Sequence, residues 1–309
     1  MAVGVNYIHL DMWYPTEYIN MHGISQHQLQ PKKGETMANV NDYQAAGEEI
    51  YHKLHLSTYP VAIRYIKSKD EIPDGAIQPS AFGKKMALCQ AITQARRSGG
   101  AIAMTAADNF CTPSTAFHQW VDISLDDMLE SQVIQGWHKD IEAEKRRFKR
   151  NAELLATKDI KRMMGYMGFV CSPLQEASDI PHSVLIHGDG VQLTHIIQAL
   201  SYEHLHTPSS TFEGFGETCM KGGAIPFVSG IPQVVLPGAG DRSFAGISEH
   251  ELAVGMPAEL IFYTLDNLFK TGGVMNIGYP AHPIIPTDLD ESITPGFQFM
   301  RKKIDEKSK

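Results

Sequence analysis

The chain has 309 residues, 43% of them hydrophobic and 20% charged, which is the balance of an ordinary globular protein with enough length for one large core. Its net charge is −8 with His neutral and its pI about 5.9, which argues against a sequence-independent nucleic-acid binder, because that function needs a clustered basic surface. No apolar run approaches the roughly 20 residues that span a bilayer, so no membrane partner is expected.

Residues 1–41 read as an N-terminal extension, rich in His, Gln, Tyr and Met and broken by Pro15, Pro31 and Gly34. His9, Asp11, Glu17 and His22 leave no apolar stretch for a secretory signal. Residues 1–36 are expected to be dispensable for the core fold. The main domain is expected over 42–280, opening with a helix Asp42–His55 that Asn41 or Asp42 caps and that carries Tyr43, Ile50 and Leu54 near one face. Pro60–Lys67 reads as a strand. Lys84–Arg97 is a predicted helix, with Met86, Cys89, Ala91, Ile92 and Ala95 on its buried face and Gly99 as its stop. Ala101–Thr105 is a short buried strand, and the loop after it reaches Pro113, which suits the first turn of another helix. Cys111 is therefore expected at a helix N-terminus, where the backbone dipole lowers a thiol pKa.

Asp140–Leu155 is a long amphipathic helix. Its basic run Lys145–Arg150 follows Glu142 and Glu144 and reads as a solvated face with i,i+4 pairs. Gly165–Leu174 and Ser183–His187 read as strands, the second running through Gly188-Asp189-Gly190 into a helix Gln192–Glu203 that Asp189 caps. His195, His204 and His206 are expected to face solvent. Pro232–Pro237 is another short strand, and Ala258–Lys270 a helix with Pro257 near its start and Gly272 as its stop. Residues 281–309 read as a tail. The sum is an α/β fold: a mixed sheet flanked by helices, in a single main domain.

The four cysteines, Cys89, Cys111, Cys171 and Cys219, are dispersed, and no secretory signal accompanies them, so a reducing, cytoplasmic setting is expected. No Cys-x-x-Cys pair is present, so a shared metal site would have to be assembled by the fold. Three thiolates with an open position would suit a substrate-binding iron–sulfur cluster; four would suit an electron-transfer cluster or structural zinc. The bland alternative is four small buried hydrophobes. The segment Gly238–Gly246 follows a strand, but its spacing is wrong for Gly-x-Gly-x-x-Gly and no helix pattern starts on cue. It reads instead as a flexible loop that presents Gly240, Asp241 and Arg242 to a carboxylate or phosphate, or as a turn closed by its own hydrogen bonds. No Gly-x-Ser-x-Gly elbow, Walker loop or His-Glu-x-x-His appears.

Several segments recur in a fixed order: Pro60-Val-Ala-Ile, Cys89-Gln-Ala-Ile with Ala95-Arg96, and Cys111 before a Pro-containing helix start. Ser172-Pro173-Leu174, Val184-Leu-Ile, Gln198-Ala-Leu-Ser-Tyr202, Gly240-Asp-Arg-Ser-Phe-Ala-Gly246 and Glu251-Leu-Ala-Val-Gly-Met-Pro257 follow. In this order, from about Tyr43 to Tyr279, the chain resembles a prokaryotic family catalogued as domain of unknown function 169. The resemblance implies an α/β domain in a prokaryotic cytoplasm and no assigned reaction. The family's cysteine pattern matches Cys89, Cys111 and Cys219, while relatives often carry Ala in the segment where Cys171 stands.

The leading expectation is thus an iron–sulfur or other metal–thiolate protein, redox-linked and in the oxidoreductase class if it is an enzyme. Cys89, Cys111, Cys219 and, less securely, Cys171 would be the ligands, with Arg242 nearby. The rival is a metal-free protein that binds a small anionic metabolite at Gly240, Asp241 and Arg242; a thiol redox sensor built on a Cys pair is a third reading. The expected partner is a small-molecule ligand or a redox partner, with a homo-oligomer left open.

Overall fold

The structure, a computed structural model, describes residues 38–154, 163, 165–203, 206–271 and 295–307. The extension over 1–36, Gly272, His204 and most of the 281–309 tail therefore lie outside the described residues. By packing, the chain divides into Met1–Ala38 and Asn39–Lys309, and every element below belongs to the second unit.

Six strands form one sheet: β1 (Val61–Ile66), β2 (Ile102–Thr105), β3 (Gly168–Pro173), β4 (Ser183–Gly188), β5 (Gln233–Val235) and β6 (Leu252–Pro257), in the order β2-β3-β1-β4-β6-β5. Among the described residues all five ladders are antiparallel, and parallel pairing is confined to three isolated bridges, Ile77 with Ile102, Met86 with Asn109 and Ser209 with Gln233. The α/β class and the single main domain hold.

Strand alternation sorts the core into two layers. Val61, Ile63 and Tyr65 of β1, Ile102 and Met104 of β2, Phe169 and Cys171 of β3, Leu185 and Ala253 point to one face. There they meet Leu88, Ala91, Ile92 and Ala95 of α2 (Leu88–Ser98) and Ile225 and Val228 of α7 (Ile225–Ser229). On the other face Val184, Ile186, Val254 and Met256 are buried as fully, under α6 (Gly190–Leu200) and α9 (Leu260–Asn267). With both faces covered, β3 and β4 are buried at every position, so they lack the apolar–polar alternation of a half-exposed strand.

Local chemistry sets the helix starts. For α1 (Val40–Lys53) the cap is Asn39, not the expected Asn41 or Asp42: Asn39 Oδ1 accepts from Asn41 N at 2.9 Å, and Asp42 reaches back to Asn39 N at 2.7 Å. Asp189 caps α6 as expected, its Oδ1 accepting from Val191 N and Gln192 N at 2.8 and 2.9 Å. On α5 (Ile141–Leu154) the basic run pairs at i,i+3 rather than i,i+4, through Glu142–Lys145 and Glu144–Arg147. The remaining helices are α3 (Thr112–Phe117), α4 (Leu125–Ile134), α8 (Ala239–Ala245) and α10 (Pro295–Lys307). None of the described helices is long and apolar enough to cross a membrane.

The sequence analysis placed no strand at β6 and no helix at α4 or α7, and it also missed a π-helix, Glu217–Ala224. It seats directly on the sheet backbone. A Cβ placed on Gly255 of β6 would stand 2.0 Å from Gly222 O, and Ser183 Oγ of β4 donates to Gly223 O at 2.9 Å. Only glycine permits this approach.

Two further contacts bind the layers. Arg96 is wholly buried on α2 and grips Glu251 through Nη1–Oε1 at 2.5 Å and Nη2–Oε2 at 3.1 Å. Burial opposes the Glu251 charge, yet the hydrogen bonds from Arg96 and Ser248 N hold its carboxyl down to about 2. His187 lies near this pair on β4, lowered to about 3 by burial and then by the Arg96 charge, and burial likewise lowers His118 and His182 to about 4.

Two outcomes follow. Gly255→Ala should cost at least about 1–3 kcal/mol in chemical denaturation, because the methyl forces the π-helix off the sheet. Gly190→Ala, with nothing within 4 Å of its added methyl, is the control and should be near neutral or stabilising; equal effects would show that the seat is not close-packed. The three histidines set an acid limit. Unfolded His takes up its proton near 6.5, while folded His118 and His182 resist to about 4 and His187 to about 3. The stability these histidines contribute is therefore complete above about pH 6.5 and is lost as pH drops from there toward about 3. Flat denaturation midpoints between pH 7 and 5 would refute this.

Candidate functional site

Three separate elements deliver three thiols to one place. Cys89 is the second residue of α2, whose start is closed by Gln90 Oε1 accepting from Ala87 N at 2.7 Å. Cys111 is the N-cap residue of α3, as expected. Asn109 fixes that turn: its Oδ1 accepts from Cys111 N at 3.0 Å and its Nδ2 donates to Cys111 O at 3.0 Å. Cys219 rides on the π-helix. Cys89 packs with Ala87, Ala245 and Ile247, and Cys111 lies against that cluster.

The fourth member is Asp241, on α8. Its Oδ2 accepts from Gly238 N at 2.9 Å and Thr218 N at 3.3 Å, and the Cys89 thiol also hydrogen-bonds the carboxylate. The groups feel one another. Burial pushes the Cys89 thiol up, and electrostatic interaction with Asp241 and Cys111 adds to it. Burial also pushes Cys219 well up, with Cys89, Cys111 and Asp241 contributing. Burial raises Asp241 in turn, against the hydrogen bonds it accepts. Cys89 and Cys219 are thus neutral thiols at physiological pH. Tyr65, stacked on Phe227 at 5.3 Å, is raised well above its ordinary value by burial, with Cys219 contributing.

Cys171 is elsewhere. It sits mid-strand on β3, in register with Ile63 and Ile102, wholly buried, and burial is what raises its pKa. Among the described residues no three or more His, Cys, Asp or Glu side chains are arranged so as to hold a metal ion as they stand.

The π-helix is also held by a line of charge, buried at Glu217, Lys221 and Glu144 and half-buried at Glu213 and Arg147. Lys221 donates to Glu217 Oε1 at 2.9 Å and to Thr211 O, and pairs with Glu213 at 3.3 Å. Arg147 of α5 bridges Glu213 at 2.6 Å to Glu144, which it grips at 2.9 and 2.5 Å. Burial raises the Glu217 carboxyl against Lys221 and the backbone N–H groups of Glu213 and Gly214. The i,i+4 spacing of Glu217 and Lys221 is visible in the sequence; its burial is not.

The Gly238–Gly246 segment is not the expected flexible loop. It is the short helix α8, because Asp241 accepts from Gly238 N and closes the first turn. Arg242 is half-buried and its Nη1 donates to Ser248 O at 2.5 Å, so part of the guanidinium is committed to the chain itself. A Cβ placed on Gly240 would meet only the Phe244 ring, at 3.7 Å. Asp241 does join the site, but at the thiols and not as an anion-loop residue. His195, expected to face solvent, is buried against Phe269 at 4.9 Å between ring centres, because α6 turns that face to α9 and the chain after it.

Exposure ranks the thiols: Cys111 is half-exposed and the other three are buried. Iodoacetamide at neutral pH should therefore alkylate Cys111 first, by mass spectrometry of the native protein, and Cys171 only on unfolding. Equal rates at Cys111 and Cys171 would contradict this arrangement.

Residues 49–267 match the profile of domain of unknown function 169, described as "Uncharacterised ArCR". An uncharacterised protein of Methanocaldococcus jannaschii, MJ0308, is 25% identical over 228 residues, 72% of this chain and 91% of that protein. No solved structure matches the chain. With the match running from α1 to the end of α9, and so over all three converging cysteines, the chain belongs to the family of domain of unknown function 169.

Proposed function

We propose that this is a metal–thiolate protein, redox-linked, in which Cys89, Cys111 and Cys219 hold an iron–sulfur cluster or another thiophilic metal. The observation that carries this reading is the convergence of three thiols, from α2, the start of α3 and the π-helix, around the buried Asp241 carboxylate. Soft thiolates suit iron, zinc or copper(I), and three of them leave a coordination position for substrate. Such a metal would supply one-electron or Lewis-acid chemistry.

The protein's part is to hold the ligands and keep water away. Buried neutral thiols must lose their protons to become ligands, and a cation beside them favours that loss. Asp241, hydrogen-bonded to Cys89, is placed to accept the Cys89 proton. Because side chains are not yet arranged as a ligand set, binding must also draw them inward. Four free thiols fit a reducing, cytoplasmic setting. No observation favours the anionic-metabolite reading over this one, since Arg242 is partly committed to Ser248 O.

Anaerobic reconstitution with iron and sulfide, followed by metal analysis and absorption spectra, tests the proposal. Cys89→Ser, Cys111→Ser and Cys219→Ser should each abolish bound metal, and Cys171→Ser should retain it. Uptake should weaken as pH falls, because each ligand thiol releases a proton. Wild-type protein that takes up no metal, or three variants with independent partial losses, would overturn the reading.

A further inference from the structure

Of the three converging thiols, Cys111 is the one that solvent reaches, being half-exposed where Cys89 and Cys219 are buried. Its chain is fastened beside that of Cys89. Met86 N donates to Asp108 O at 3.0 Å and Phe110 N to Met86 O at 2.9 Å, so that Met86 and Asn109 are partners in a parallel bridge. Backbones paired in this way lie about 5 Å apart. Cys89 follows Met86 by three residues and Cys111 follows Asn109 by two. Asn109 fixes the Cys111 turn at both its N–H and its carbonyl. The two side chains end in one place, with Cys111 packed against the cluster of Ala87, Cys89, Ala245 and Ile247.

A disulfide needs its two Cα atoms within about 7 Å, and two chains that enter the site at ladder spacing are within reach of that. Cys111 stands at the surface, at the start of a six-residue helix, so closing the last distance displaces little packed structure. Cys89 is already oriented, because its S–H hydrogen-bonds the Asp241 carboxylate. The other two thiols are less well placed. Cys219 packs into the main core layer with Ala224 and Leu185, and Cys171 is wholly buried in β3. One thiol open to solvent with a second buried beside it is the arrangement in which an oxidised sulfur is captured by its neighbour.

We propose that Cys111 is a modification site for hydroperoxides and that Cys89 resolves it, giving a reversible Cys89–Cys111 disulfide. In the first step Cys111 Sγ attacks a peroxide oxygen, forming an S–O bond as the O–O bond breaks. The sulfur is oxidised to a sulfenic acid, and the peroxide is reduced to an alcohol, or to water from hydrogen peroxide, which carries off the thiol proton. In the second step Cys89 Sγ attacks Cys111 Sγ; the S–S bond forms, the S–O bond breaks, and the oxygen leaves as water with the Cys89 proton. Two thiols thus give two electrons and two protons to one peroxide, and a dithiol reductant restores them. The inference is independent of the metal–thiolate reading, since it concerns the thiols with no metal on them. Where that reading holds, the disulfide takes up two of its three ligands.

The full chain, reduced and freed of metal under argon, is treated with hydrogen peroxide or cumene hydroperoxide. Free thiols counted after denaturation should fall from four to two, peptide mapping without reductant should join Cys89 to Cys111 within one chain, and dithiothreitol should restore all four. Cys89→Ser should stop at a Cys111 sulfenic acid that dimedone traps. Cys111→Ser should slow thiol loss by about tenfold or more, because the thiols that remain are buried. Thermal unfolding shows which variants are folded. Should Cys89→Ser fail to fold, the wild-type map and Cys111→Ser, changed at a half-exposed position, decide alone. The proposal is overturned if neither peroxide consumes thiols, or if Cys111 bonds instead to Cys171, to Cys219 or to a second chain. It is overturned equally if wild-type Cys111 stops at sulfenic or sulfinic acid, or if folded Cys111→Ser reacts as fast as wild type. Reconstitution with iron and sulfide, run in parallel, separates the two readings. The mapped disulfide in a protein that takes up no metal supports this site and refutes the metal reading, whereas metal uptake by a protein whose thiols resist peroxide refutes this site alone.

Discussion

The contact between Gly222 and Gly255 is the constraint on which the site depends. Two main chains touch there with no side chain between them, so the π-helix lies at backbone distance from β6. Ser183 pins the next carbonyl, Gly223 O. With the floor so fixed, Cys219 is turned toward α2 and α3, and Glu217 and Lys221 toward the charge line that ends on α5. A π-turn places one more residue in each turn than an α-turn, which widens the helix and changes where its side chains point; such turns recur at functional sites.

Buried charge then clamps the elements that carry the thiols. Arg96 and Glu251 join the C-terminal half of α2 to the start of β6, while Cys89 stands near the first turn of the same helix. Arg147, Glu213 and Lys221 join α5 to the π-helix two residues from Cys219. Charges taken from water must be matched closely, so each network tolerates only one arrangement of its helices. Such clamps bring three thiols from distant parts of the chain near one another without a local Cys-x-x-Cys loop.

The most legible parts of the sequence were those governed by neighbours in the chain. The period of Leu88–Ser98, the Asp189 cap, the start of α3 at Cys111 and the buried strands Ser183–Gly188 and Gly168–Pro173 all rest on short-range rules of pattern and capping. The matching cysteines were also legible as a candidate shared site, through the resemblance rather than through their spacing. Asp241 was singled out as a loop residue, but the hydrogen bonds it accepts from Gly238 N and Thr218 N turn the expected loop into helix and hold its carboxylate at Cys89.

What the sequence determined by itself was therefore five of the six strands, the helices α1, α2, α3, α5, α6 and α9, and the chemistry that each thiol and carboxylate carries. Such information lies within a few residues of each position, where backbone dihedrals and capping bonds are decided. Which of those groups meet was decided only by the tertiary structure. Gln90 reaches Phe244 across 154 positions, and Thr218 reaches Asp241 across 23. The sheet order β2-β3-β1-β4-β6-β5 places α2, α3, the π-helix and α8 around one space, while it leaves Cys171 inside a central strand. A thiol's reactivity follows from its surroundings, and those are made by strand pairing and close glycine contacts that no local pattern encodes.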